Sequence, residues 1–193
     1  MTKSWNNPVI MQEIEALKAL TDDLQAPFEE AVSLLAGISG RIVCTGIGKS
    51  GNVATKISAT MTSTGSPAFF LHPTDAAHGD LGSILENDAV LALSRSGRAV
   101  EMNTVLEFAR SRGVPIVLIS ENDTDSLADY ANVVLKMPPI KEAWGHAPTT
   151  STIMQMAIGD AIAVILAQRK GFTDAGFHEL HPGGVLGEKK SKF

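Results

Sequence analysis

The chain has 193 residues, 44% of them hydrophobic, and a formal net charge of -5 at pH 7. That length can bury one full core and predicts a single domain. The acidic balance excludes non-specific nucleic-acid binding, which needs a basic surface to displace counterions, and leaves any phosphate site dependent on Lys49, Arg95, Arg98 and helix N-termini. The start, Met1-Thr2-Lys3-Ser4-Trp5, lacks the apolar run of a signal peptide. Asn7-Pro8 reads as a helix start, Asn as N-cap and Pro in the first turn, followed by Ile10, Ile14, Leu17, Leu20 and Leu24 at helical spacing. Pro27 restarts the pattern, and a second helix is expected from Pro27 to Leu35, ending at Gly37 and Gly40. Strand-like runs then alternate with helix-like ones: Ile42 to Thr45, Ala68 to His72, Ala89 to Ser94, Pro115 to Ser120, and Val133 to Met137.

That alternation predicts an α/β fold, a three-layer αβα sandwich with a five-stranded parallel, doubly wound sheet. Residues 1–40 are expected to form an N-terminal helical segment packing on a sheet domain of residues 41–187, with a solvated tail at 188–193. Ile153 to Ala167 is apolar on nearly every helical face, so one side is expected to cover the sheet and the other to meet a second subunit; an enclosed core helix is the alternative. Gly159-Asp160 interrupts that run, and no membrane span is expected. The single cysteine, Cys44, lies in an apolar strand pattern, which excludes an intramolecular disulfide and suits the cytoplasm.

Gly46-Ile47-Gly48-Lys49-Ser50-Gly51 runs from a strand into a helix start, where unpaired N–H groups and the helix dipole favour an anion, here phosphate. The dinucleotide reading of G-x-G-x-x-G fails because the second strand ends at His72-Pro73 rather than at an acid. The NTPase phosphate loop fails because Val43 stands where a glycine is needed. Ser94-Arg95-Ser96-Gly97 follows another strand in the same way, and Thr149-Thr150-Ser151-Thr152 opens the last long helix with four hydroxyls. Three hydroxyl-bearing helix starts at one sheet edge could hold a phosphate and sugar hydroxyls. The acid–base candidates are His78, Glu101, Glu142 and His181. His178 and His181 do not have the His-Glu-x-x-His spacing of zinc sites, and no metal or other cofactor is expected.

These motifs occur in one order with Ser63-Thr64-Gly65, His72-Pro73, Ala76-Ala77-His78-Gly79-Asp80-Leu81-Gly82, Lys141-Glu142-Ala143, Ala147-Pro148 and His181-Pro182-Gly183-Gly184. In this the sequence resembles the sugar isomerase (SIS) domain family, and within it the arabinose 5-phosphate isomerases, from about residue 40 to Gly187. The resemblance implies metal-independent interconversion of D-arabinose 5-phosphate and D-ribulose 5-phosphate, feeding the eight-carbon acid sugar of lipopolysaccharide. It implies Lys49, Glu101, Glu142 and His181 as active-site residues with His78 close by. Gly48, Ser50, Ser94, Ser96, Thr149, Thr150, Ser151 and Thr152 are implied in holding phosphate and hydroxyls, and a homotetramer is implied whose sites borrow residues from neighbours.

Longer relatives continue into a pair of CBS modules; this sequence stops at Phe193, and a stand-alone form is expected. Arg98 stands where relatives often carry an acid, and the stretch from Glu142 to Pro148 is shorter than usual. In the expected mechanism His181 or Glu101 takes the carbon-bound proton. His78 and Glu142 open the sugar ring and shuttle oxygen-bound protons, and Lys49 stabilises the enediolate or holds phosphate. The alternatives are another phosphosugar isomerase such as 6-phospho-3-hexuloisomerase, or a non-catalytic sugar-phosphate sensor.

Overall fold

The computed structural model describes residues 7–139 and 141–183. The Met1 to Trp5 start, the Gly184 to Gly187 end of the expected sheet domain and the expected tail at 188–193 lie outside the described residues. The sheet consists of β1 (Ile42–Gly46), β2 (Ala68–Leu71), β3 (Ala89–Leu93), β4 (Ile116–Ser120) and β5 (Val133–Lys136), in the order β2-β1-β3-β4-β5. Every pairing is parallel. The three central strands are buried at every position, which is why they read as unbroken apolar runs rather than alternating ones.

The helices are α1 (Pro8–Asp23), α2 (Gln25–Ala36), α3 (Gly48–Ser63), α4 (Pro73–Ala76), α5 (Asn103–Ser111), α6 (Thr150–Arg169) and α7 (Asp174–Leu180). Successive strand residues point to opposite faces and so feed two cores. Ala89, Leu91 and Leu93 join Leu35, Ile57, Met61 and Ile162 on the face carrying α2, α3 and α6. Val90 and Ala92 join Met102, Leu106, Ile116 and Leu118 on the face carrying α5.

Asn7 caps α1, its side-chain oxygen accepting from Val9 N at 2.9 Å. α2 starts at Gln25, two residues before Pro27; a proline in the first turn has no N–H to lose there and need not open the helix. Leu20 and Leu24 enter the core, whereas Ile10 and Ile14 of the same spacing are exposed. α6 packs on α3, with α1 and α2 also against it. Part of the apolar surface expected to meet another subunit is therefore covered within the chain, leaving Ile153 and Val164 exposed. By length and composition α6 alone among the described helices could cross a bilayer, but half of that stretch is buried inside the fold, as in a core helix. Gly159 lets it approach α3 closely: a Cβ there would lie 2.2 Å from Ile57 Cδ1.

Candidate active site

Parallel strands deliver their carboxyl ends to one edge of the sheet. Gly46 at the end of β1 pairs with Leu93 at the end of β3, so the turns Ile47 to Ser50 and Ser94 to Gly97 leave the sheet side by side. On the other flank Thr45 pairs with Leu71, which brings His72 out beside the first turn.

The first turn depends on glycine twice. Gly48 has φ +60, a left-handed conformation that a side chain disfavours. At Gly51 a Cβ would lie 2.7 Å from the Gly46 carbonyl oxygen, so helix and strand end meet backbone to backbone. No side chain caps α3, leaving its first N–H groups to an external acceptor. A cleft of about 360 Å³ opens here, lined by Gly48, Lys49, Gly51, Asn52, Thr55, Phe70 and His72. Lys49 is exposed, and Ser50 is half-buried behind it. The Nδ1 of His72 accepts from Thr74 N at 3.3 Å, which places the neutral ring's proton on Nε2 and makes that atom a donor.

The second turn differs from expectation. Helical structure does not follow it directly: a 3-10 turn spans Val100–Met102 and α5 starts at Asn103. Ser94 to Gly97 is thus a loop bolted to the end of β4. Glu121 N donates to the Arg95 carbonyl at 2.9 Å, Asn122 Nδ2 to the Ser96 carbonyl at 3.0 Å, and Leu127 N to the Gly97 carbonyl at 3.2 Å. Ser94 is buried and Ser96 exposed. The two arginines expected to attract phosphate are occupied by carboxylates. Arg98 Nε lies 2.9 Å from Asp125 Oδ2, and Arg95 bridges Glu121 and Glu142. Glu101 is exposed in the 3-10 turn, which packs on α4, and His78 is exposed just beyond α4. Both belong to this edge.

Glu142 is the most constrained of the candidates, its side chain 1% exposed. Oε2 accepts from Thr149 N at 2.8 Å and Ser151 N at 3.3 Å, so the carboxylate itself caps α6. Oε1 lies 3.2 Å from Arg95 Nη1, close enough for charge attraction but not aligned as a hydrogen bond. Burial pushes this carboxyl up. The Ser151 hydroxyl, the Thr149 and Ser151 N–H groups and the Arg95 guanidinium outweigh that and hold it below the usual range. The four hydroxyls of the α6 start are engaged within the chain: Thr149 Oγ1 accepts from Ala143 N, Thr150 Oγ1 accepts from Gln12 Nε2, Ser151 bonds Glu142, and Thr152 Oγ1 donates to the Thr149 carbonyl.

His181 is not at this edge of its own chain. α6 is 20 residues long, about 30 Å, and carries the chain to the opposite edge. There Lys170 Nζ donates to Ser66 Oγ at 3.2 Å, just before β2. The Phe172 ring packs on Gly65 and also on Gly176 of α7, so α7 is anchored at that far edge, and His181 is five residues further on. Its ring stacks on Phe177 with centroids 3.9 Å apart. Nδ1 donates to the Phe177 carbonyl at 2.7 Å, which leaves Nε2 as a lone-pair base. Among the described residues no three His, Cys, Asp or Glu side chains are grouped to hold a metal.

Fold and edge together define a doubly wound α/β domain whose first strand runs into an uncapped, glycine-dependent helix start, with Lys49 and His72 lining the adjoining cleft. Residues 35–165 match the SIS domain, and the chain belongs to that family. It is 41% identical to the arabinose 5-phosphate isomerase KdsD of Pseudomonas aeruginosa, over 92% of this chain and 55% of the relative. The Francisella tularensis KdsD is 39% identical, over 98% of this chain and 60% of the relative. The chain therefore spans little more than half the length of these curated relatives. An Escherichia coli CFT073 protein solved in complex with arabinose 5-phosphate superposes with a TM-score of 0.86 at 34% identity, covering 90% of this chain and 94% of that one.

Proposed function

We propose that the chain is a phosphosugar aldose–ketose isomerase that interconverts D-arabinose 5-phosphate and D-ribulose 5-phosphate by acid–base chemistry without a metal. The observation that carries the reading is the pairing of Gly46 with Leu93: an uncapped helix start with an exposed lysine stands beside a serine turn at an edge that also holds imidazoles and carboxylates. The relatives named arabinose 5-phosphate isomerase and the neighbour solved with that sugar phosphate bound support the choice of sugar.

The reaction moves one proton between C1 and C2 and another between their oxygens through an enediol. In this reading the phosphate lies between the start of α3 and the Ser94 to Gly97 turn, held by Gly48 N–H, Ser50, Ser94 and Ser96. Lys49 and the His72 Nε2 donor stabilise the negative charge that develops on the sugar oxygen. The carbon base is His181 or Glu101, and His78 and Glu142 serve ring opening and oxygen-bound protons. Glu142 enters as an acceptor, since its surroundings favour the carboxylate. Thr149 and Ser151 shape this side of the site through their hold on Glu142, with Thr150 and Thr152 in the same helix start. Because His181 lies far from Lys49 in one chain, sites are completed between subunits of a homo-oligomer, a tetramer, in the cytoplasm, with the product directed to lipopolysaccharide.

The test is to incubate chelator-treated protein with a panel of pentose and hexose phosphates and follow aldose–ketose conversion. Turnover of arabinose 5-phosphate above the other sugars is expected. Binding of a sugar phosphate without conversion would instead establish a sensor, and preferential conversion of a hexulose phosphate a hexuloisomerase.

A further inference from the structure

Arg95 stands at the junction of three segments that meet only in the folded chain: the turn after β3, the residue after β4, and the loop that leads into α6. Its Nε lies 3.1 Å from Glu121 Oε2 and its Nη1 3.2 Å from Glu142 Oε1. The base of the side chain is fixed as well, because the Arg95 carbonyl accepts from Glu121 N at 2.9 Å and from Ser120 Oγ at 3.3 Å. A planar guanidinium can address two carboxylates from different nitrogens at once, which an ammonium does poorly. With an anion on each side it is neutralised locally, and a substrate phosphate gains little from it.

We propose that Arg95 is a positioning residue of the acid–base site: braced by Glu121, it clamps the Glu142 carboxylate onto the first turn of α6 and so sets the orientation in which Glu142 meets the substrate. The kinetic consequence rests on the isomerase reading, whereas the clamp itself rests on the contacts. Oε2 of Glu142 is committed to Thr149 N and Ser151 N by hydrogen bonds, and the Arg95 guanidinium 3.2 Å from Oε1 attracts the other oxygen by charge, without an aligned hydrogen bond.

Other polar groups lie on the neighbouring segments. Lys141 precedes Glu142 and is exposed. From α1, Gln12 donates to the Lys141 carbonyl and to Thr150 Oγ1, and Glu15 lines the same groove as Lys141 and Thr150. His146 sits at the exposed tip of the intervening loop, edge-on to Trp144. Of these charged groups, Arg95 is the cation paired with the carboxylate. Its loss leaves a buried anion without a counter-charge, which favours protonation of Glu142 and loosens the Thr149 to Ser151 turn.

The experiment compares wild type, Arg95→Gln, Arg95→Lys, Glu142→Gln and the Arg95→Gln/Glu142→Gln double variant. Two readouts are used: pH profiles of isomerisation, and the carboxyl ¹³C titration of Glu142, assigned by its disappearance in Glu142→Gln. The clamp predicts that the Glu142 midpoint rises in Arg95→Gln and that kcat falls on the order of a hundredfold with little change in KM, as for a displaced catalytic group. Arg95→Lys is expected between that variant and wild type, and it carries the test if Arg95→Gln does not fold. In the Glu142→Gln background, removing Arg95 adds no further loss. An unmoved Glu142 midpoint, fully additive losses, or a rise in KM with kcat kept would overturn the proposal, the last by making Arg95 a substrate contact. If the wild type converts no sugar, the isomerase reading fails alone and the ¹³C titration still decides the clamp.

Discussion

Lys49 and Glu142 illustrate two ways in which a charged side chain is placed for use. Lys49 is exposed at the mouth of the cleft, so its replacement barely perturbs the fold and its kinetics report its role directly. If it stabilises the enediolate, Lys49→Ala loses turnover on the order of a hundredfold or more with substrate affinity kept. If it only anchors phosphate, KM rises and kcat survives. Steady-state kinetics on arabinose 5-phosphate separate the two. Glu142 is tied into the structure instead. Its folded-state pKa is depressed, so the stability it contributes is present above the ordinary glutamate pKa and is lost as pH falls through the folded value. Glu142→Gln should therefore be less stable than wild type by roughly 1–3 kcal/mol at neutral pH, at the low end because Arg95 is partly solvent-screened. The gap should narrow below about pH 4. Urea unfolding at neutral pH and again below the glutamate range measures it.

At the scale of elements, the α3–α6 contact determines how the two helix starts at the site edge are spaced. Gly159 faces Ile57 there: a Cβ at Gly159 would lie within 2.4 Å of both Cδ1 and Cγ1 of Ile57, which is fully buried. Gly159→Ala forces a methyl into that contact. It should lower stability by about 1–3 kcal/mol, read as a lower denaturation midpoint with unchanged slope, and reduce kcat by shifting the start of α6 relative to α3. Much of this layer was legible in the sequence. The five strand-like runs correspond to β1 to β5 within a residue or two, because fully buried parallel strands are written as short apolar blocks, and the Asn7 cap marks the start of α1. The glycine turn was readable because φ +60 at Gly48 and the close approach at Gly51 demand glycine. What local pattern does not carry is partnership over distance. The pairing of Arg95 with Glu142 spans 47 positions and two strands, so Arg95 read as a phosphate attractor. Ser94 to Gly97 resembles a helix opening in composition, yet five residues follow it before the α5 helix. His72 joins the cleft only through the register of β2 on β1.

At the scale of the whole molecule the position of His181 is the decisive fact. One chain puts Lys49, His78 and Glu101 at one edge of the sheet and anchors α7 at the other, by Phe172 against Gly65 and Gly176. If both Lys49 and His181 act on one substrate, they come from different copies. The exposed apolar residues Ile10 and Ile14 on α1 and Ile153 and Val164 on α6 are candidates for the surface that brings copies together. Mixing two inactive variants tests this without knowledge of the interface. Lys49→Ala keeps His181, and His181→Ala keeps Lys49, so a site that draws each residue from a different subunit is intact when the right pair meet. Random reassembly of an equal mixture after mild dissociation should restore about one quarter of the wild-type sites. Each variant taken alone through the same dissociation and reassembly should restore none. Recovery appearing only after subunit exchange would place His181 in a neighbour's site; no recovery, with exchange verified by labelled subunits, would mean that Lys49 and His181 act within the same chain, and a His181→Ala variant that stayed active by itself would leave Glu101 as the carbon base.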